Sequence, residues 1–166
     1  MIPETQYQNK SLQHQFYTTI YKYRDILNVN FDDELKIITI VRNPYHRLVS
    51  DLFFYNKINK FTDSEKVYDI LKNYIHSDNH NIPQYKFITD ENENLINNIT
   101  IFKTETLTKD IINYGFSDYD NTIKLKGCED SINYMKYLNS DSLELINKVY
   151  LKDFELFDYK IISHIN

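Results

Sequence analysis

The alternation of apolar and polar positions divides the chain into a series of short elements. Residues 1–10 are a polar lead-in, and Ser11 is placed to cap a helix that runs to about residue 27. Leu12, Phe16, Ile20, Tyr23 and Leu27 share one face of it. A polar, acidic connection over 28–35 leads to the run Ile37-Ile38-Thr39-Ile40-Val41. That run is β-branched throughout, which predicts a strand covered on both faces of a parallel sheet. Pro44 follows closely, and its fixed φ and missing N–H suit the first position of a helix. Leu48, Val49, Leu52 and Phe53 then form an apolar stripe at helical spacing, predicting a helix to about residue 59.

Thr62-Asp63-Ser64-Glu65 reads as a capping box opening a helix through Val67, Ile70, Leu71, Tyr74 and Ile75. After a loop at 77–83, two short runs at 84–89 and 95–102 are joined by Asp90-Glu91-Asn92-Glu93-Asn94, which predicts a hairpin. Thr104 or Thr106 caps a short helix that stops at Gly115, and 116–130 is irregular with one short strand around 122–125. A helical turn over 131–138 precedes the last helix. This starts at Ser140-Asp141-Ser142 and carries Leu143, Ile146, Tyr150, Phe154 and Phe157. About five helices and three or four strands imply an α/β fold: one domain over residues 1–166, with a helix-covered, mostly parallel central sheet and the Ile37–Val41 strand near its centre.

Composition narrows the functional classes. The chain of 166 residues has a net charge of −5, so it carries no general basic footprint for nucleic acid or for an anionic membrane. Two glycines and three prolines exclude flexible-linker and low-complexity classes, while fifteen tyrosines and ten phenylalanines supply core volume in the absence of tryptophan. The single cysteine, Cys128, excludes an internal disulfide and a cysteine-based zinc site. No apolar run is long enough to span a bilayer, and the N-terminus has no signal-peptide core, so a cytoplasmic setting is expected. His76 and His80 are the one histidine pair at a metal-ligand spacing, but they fall on a helix end and a loop, and no metal is expected there.

The chemistry concentrates around the Pro44 helix. Arg42 lies at the carboxyl end of a strand beside a helix N-terminus, where anions bind in open α/β sheets. Ser50 follows eight residues later, with Arg47 and His46 three and four residues before it and on or near the same helix face. A guanidinium and a hydroxyl so placed hold a terminal phosphate between them, and arginine suits the task through its bidentate fork. The competing reading pairs Arg42 with a carboxylate and turns Ser50 toward a neighbouring helix. His46 either touches the phosphate or lies on the surface, and the surface is the expectation.

The run Val41-Arg42-Asn43-Pro44-Tyr45-His46-Arg47-Leu48-Val49-Ser50 resembles the 3′-phosphate-binding motif of the sulfotransferases, in particular the carbohydrate (Golgi-type) branch. Ile82-Pro83-Gln84-Tyr85-Lys86-Phe87-Ile88 and Ile99-Thr100-Ile101-Phe102-Lys103-Thr104-Glu105-Thr106-Leu107 look like that family's paired strands ending in a glutamate. Residues 150–159, with Tyr150, Asp153, Phe154 and Tyr159 in order, are similar to its closing helix. The resemblance covers about residues 11–160. It implies a P-loop-like fold and transfer of a sulfuryl group from 3′-phosphoadenosine 5′-phosphosulfate (PAPS) to a hydroxyl of a glycan or small molecule. Arg42 and Ser50, with Arg47, would bind the nucleotide. His14 would be the base that takes the acceptor's proton, with Glu105 as its alternative or as an orienting group.

One part of that pattern is missing. The family's 5′-phosphosulfate loop needs glycine and lysine after a first strand, whereas the glycines here, Gly115 and Gly127, both come late. The first strand is also missing from residues 1–10, so the fold is expected to be N-terminally incomplete. Two functional classes follow: a sulfotransferase, and a degenerate, non-catalytic protein of the same fold that binds a nucleotide or a partner. The acidic balance disfavours polyanionic glycans as acceptor.

Overall fold

The computed structural model describes residues 15–32, 35–75, 77, 79–119 and 129–164. Within them the elements run α1 (Tyr17–Lys22), α2 (Arg24–Leu27), β1 (Ile37–Val41), α3 (Pro44–Phe54), α4 (Ser64–Tyr74), β2 (Ile99–Lys103), α5 (Leu107–Asn113), α6 (Ser140–Val149) and α7 (Leu151–Leu156). Short 3₁₀ stretches lie at Asn79–Asn81, Gln84–Phe87 and Glu129–Tyr137. The protein is therefore mixed α/β. Its sheet has two parallel strands, β1 and β2, in the register Ile37↔Ile99 to Val41↔Lys103.

Local chemistry explains most of the boundaries. Asn43 caps α3 by accepting the N–H groups of Tyr45 at 3.0 Å and His46 at 3.4 Å, and Pro44 takes the first position. The helix stops at Phe54, earlier than its apolar stripe suggests, because Asn56 turns into the left-handed region at φ 55°. For α4 the cap is Asp63, accepting Lys66 N–H at 2.8 Å, and not Thr62. Glu65 of the expected capping box instead accepts from the Asn139 side chain. Two expected single helices are each broken in two. Tyr23 separates α1 from α2, and Tyr150 separates α6 from α7; both leave helical geometry, at φ −105° and −108°.

The main core is built helix against helix. Tyr45, Leu48, Val49, Leu52 and Phe53 of α3 pack with Val67 and Leu71 of α4, Leu143 and Ile146 of α6, and Phe154 of α7. The Tyr45 and Phe154 rings lie 5.0 Å apart. Burying each such side chain contributes about 1.5–3 kcal/mol. A smaller cluster of Val41, Tyr85, Ile88 and Phe157 attaches β1 to this body.

The sheet departs from expectation in two ways. β1 is not near the centre of a wider sheet: among the described residues it has one strand neighbour, β2. Nor is it covered on both faces. Val41 is buried, but Ile38 and Ile40 remain 38 % and 49 % exposed. The β-branched run reports strand propensity and does not by itself report what covers the strand. The expected hairpin over 84–102 forms only as an antiparallel bridge between Thr89 and Leu95. Its first run becomes the 3₁₀ turn Gln84–Phe87, and the second supplies β2, which pairs with β1 instead. The expected strand at 122–125 lies outside the described residues.

Candidate functional site

The backbone register of β1 sets up the site. Ile37 N–H donates to Asn98 C=O at 3.3 Å, and Thr104 N–H donates to Val41 C=O at 2.9 Å. In a parallel ladder this directs the backbone groups of Ile37, Thr39 and Val41 toward β2, and those of Ile38 and Ile40 outward. Arg42 is next in the outward series, and its backbone is engaged by a side chain. Gln84 accepts the Arg42 N–H at 2.9 Å and donates to the Arg42 C=O at 2.8 Å.

Gln84 is anchored in turn by Asp153. That carboxylate, wholly buried, accepts the N–H groups of Gln84 and Tyr85, each at 2.8 Å. Burial pushes the Asp153 carboxyl above its usual range, against the pull of those N–H groups and of the Arg47 charge. Tyr150, at the break between α6 and α7, donates its hydroxyl to the Asn81 carbonyl. The 150–159 segment thus fastens the 81–85 turn to the end of β1.

With the backbone held, the Arg42 guanidinium reaches along α3 and donates to Ser50 Oγ at 3.1 Å. The structure therefore brings together the two residues expected to grip a phosphate, and both are half-buried. Arg42 forms no ion pair among the described residues, and Ser50 accepts from Arg42.

Arg47 points elsewhere. Its two terminal nitrogens donate to the carbonyls of Ile82, at 2.7 Å, and His80. Burial lowers its pKa. Its hydrogen bonds tie the 80–82 turn to α3, so its terminal nitrogens are engaged by backbone and not turned toward Ser50. The His80 ring meets the Tyr55 hydroxyl at 3.2 Å, and His76 lies outside the described residues. Among the described residues no three His, Cys, Asp or Glu side chains converge on a metal position, and no helix is long and apolar enough to cross a membrane.

Glu105, just past β2, accepts the Asn43 N–H at 3.0 Å through one carboxylate oxygen and the Tyr159 hydroxyl at 2.9 Å through the other. Burial pushes its pKa up, but the bonds from Asn43, its own backbone, Tyr159 and Thr104 outweigh this and hold it below the usual glutamate range. The Tyr159 hydroxyl is pushed up by burial and by that carboxylate. Glu105 thus holds the cap of α3, directly beside Arg42. His14, expected as the base, and Cys128 lie outside the described residues.

His46 is half-buried, not on the open surface. Its ring stacks on Tyr134 with centroids 5.2 Å apart and planes 15° from parallel. The contributions of Gln84, Tyr134 and Tyr159 leave no local trace in the sequence: each reaches the site across more than forty residues of chain. Gln84 lies within a segment that the resemblance includes, but nothing there marks it as the partner of Arg42.

A groove of about 460 Å³ runs along the outer edge of β1, walled by Tyr17, Ile20, Phe31 and Phe87 and reaching Gln84 and Arg47. No protein-family model matches the chain, and neither the curated proteins nor the solved structures contain a match to it.

Proposed function

We propose that the chain belongs with the sulfotransferases in function: Arg42 and Ser50 grip the terminal 3′-phosphate of the sulfuryl donor PAPS, and the acceptor is a hydroxyl of a glycan or small molecule. The observation that carries this reading is the 3.1 Å Arg42–Ser50 contact across the first turns of α3. A guanidinium fork and a rotatable hydroxyl at that separation, both half-open to solvent, match the donor groups that a phosphate monoester needs. Gln84 and Glu105 fix the backbone on either side of the Arg42–Asn43 bond, so the pair is preorganised. The apolar walls of the β1 groove suit an acceptor with an apolar body better than a polyanionic glycan.

The donor fits this chain at one end. The 3′-phosphate has Arg42 and Ser50; no cluster of glycine and lysine among the described residues matches the 5′-phosphosulfate. A second reading is a degenerate member of the same fold that binds the nucleotide without turnover. The double engagement of Glu105 supports it, since a carboxylate accepting at both oxygens is a poor proton acceptor.

Titration calorimetry with adenosine 3′,5′-bisphosphate tests the shared part. Micromolar binding that Arg42→Ala abolishes supports the grip, and no binding by the wild type sinks both readings. Turnover of labelled PAPS that is lost in His14→Ala then separates the enzyme from the binder.

A further inference from the structure

We infer that His46 is a third ligand of the anion held by Arg42 and Ser50, binding it as an imidazolium. This rests on reading Arg42 and Ser50 as an anion grip. His46 precedes Ser50 by one turn on the same face of α3, and its ring is within electrostatic reach of the Arg42 guanidinium that donates to the Ser50 hydroxyl. The stack on Tyr134 fixes the ring plane. The backbone beneath it is tied by the Asn43 cap. Neither ring nitrogen makes a hydrogen bond among the described residues, which leaves two donors uncommitted once the ring is protonated.

The local charge count gives those donors a purpose. The groups facing His46 are Arg42 from the turn after β1, Glu105 from the turn after β2, and Tyr134 from the 129–137 stretch. Tyr159 stands beyond Glu105. Glu105 offsets the Arg42 charge in part, so a protonated His46 adds to the positive charge that a dianion entering here meets. In the free protein burial and then Arg42 lower the His46 pKa, with Glu105 opposing them. A bound dianion reverses that balance. Binding therefore takes up a proton, and affinity rises as the pH falls.

Inorganic sulfate is the probe, because it stays a dianion throughout the relevant pH range and any pH dependence then belongs to the protein. In calorimetric titrations of the wild type, sulfate should bind about five- to tenfold more tightly at about pH 6 than at about pH 8. His46→Gln should lose the gain at the lower pH, its affinities at the two pH values becoming equal. Arg42→Ala should bind at neither. In parallel, the NMR titration of the His46 ring in the wild type should move to higher pH when sulfate is added, a readout that needs no variant to fold. A pH-independent wild type, a His46→Gln protein that keeps the gain, or an unmoved ring titration overturns the assignment while leaving the Arg42 grip intact. Absence of sulfate binding by the wild type at both pH values overturns both.

Discussion

Gln84 pairs with the backbone of Arg42 as a neighbouring strand would, accepting its N–H at 2.9 Å and donating to its C=O at 2.8 Å. One side chain thereby closes the ladder at the residue whose guanidinium reaches Ser50. Gln84→Ala leaves both Arg42 backbone groups without a protein partner in a half-buried position, so a loss of about 1–2 kcal/mol is expected. It should appear as a lower urea midpoint with an unchanged slope. Affinity for adenosine 3′,5′-bisphosphate should also fall, although Gln84 is not proposed to touch the ligand. Gln84→Glu sets a carboxylate oxygen against the Arg42 C=O and the Asp153 carboxylate, so it should be at least as damaging as Gln84→Ala. Unchanged affinity in a destabilised Gln84→Ala protein would mean that the amide serves stability alone.

Asp153 supports that arrangement from the buried side. Removing its carboxylate in Asp153→Ala strands two backbone N–H groups and should cost about 2–4 kcal/mol. The pH dependence has a definite sign. Burial, against the opposing N–H groups and Arg47, raises the folded-state pKa above the ordinary aspartate value. The folded protein then holds this proton more tightly than the unfolded chain does. The residue's contribution is fully present below the ordinary value and is lost as pH rises through the raised one. Urea midpoints of wild type minus Asp153→Asn should therefore decline across that window. A difference that grows with pH would show that the ionised carboxylate is stabilised by Arg47 instead.

What the sequence makes legible here is local. Pro44 at the start of α3, the stripe from Leu48 to Phe53, the strand Ile37–Val41 and the Arg42–Ser50 spacing are each set by residues within about two turns or one strand of each other. What it hides depends on distant partners. Ile38 and Ile40 are as β-branched as any buried strand residue, and only the placement of the helices shows that they stay open. Residues 84–89 carry strand-like apolar character, but Asp153, 69 residues on from Gln84, draws the backbone there into a 3₁₀ turn by accepting two consecutive N–H groups. Arg47 is placed by spacing near the helix face of Ser50, yet the carbonyls of Ile82 and His80 claim it. The same limit applies to Glu105, whose role rests on Asn43 and Tyr159, each more than fifty residues away.

Glu105 offers a test between chemistry and positioning. If it holds the α3 cap through Asn43 and Tyr159, then Glu105→Gln and Tyr159→Phe should each weaken binding of adenosine 3′,5′-bisphosphate by about two- to fivefold. The double variant should be little worse than either, because both remove one shared constraint. Its folded pKa is lowered, so the stability it contributes is present above the ordinary glutamate value and is lost as pH falls through the lowered one. Glu105→Gln should remove that acid-side loss. A variant with intact binding and abolished transfer of labelled sulfuryl group would instead make Glu105 a catalytic base.

The outer edge of β1 predicts behaviour in solution. Ile38 and Ile40 direct their backbone groups away from β2 and leave their side chains 38 % and 49 % exposed. An open strand edge with apolar side chains is a template for pairing with another chain, and natural edges are often blunted by lysine. Ile40→Lys should therefore reduce concentration-dependent association, read by light scattering or sedimentation. Its cost in monomer stability should stay below about 1 kcal/mol, because the side chain is half out of the protein already. Val41→Lys is the contrasting variant. Val41 is buried against Tyr85, Ile88 and Phe157, so the same charge one residue along should unfold the smaller core instead of protecting the edge. If Ile40→Lys proves as destabilising as Val41→Lys, the outer edge is covered in solution, and the groove beside it is filled by chain and closed to any acceptor.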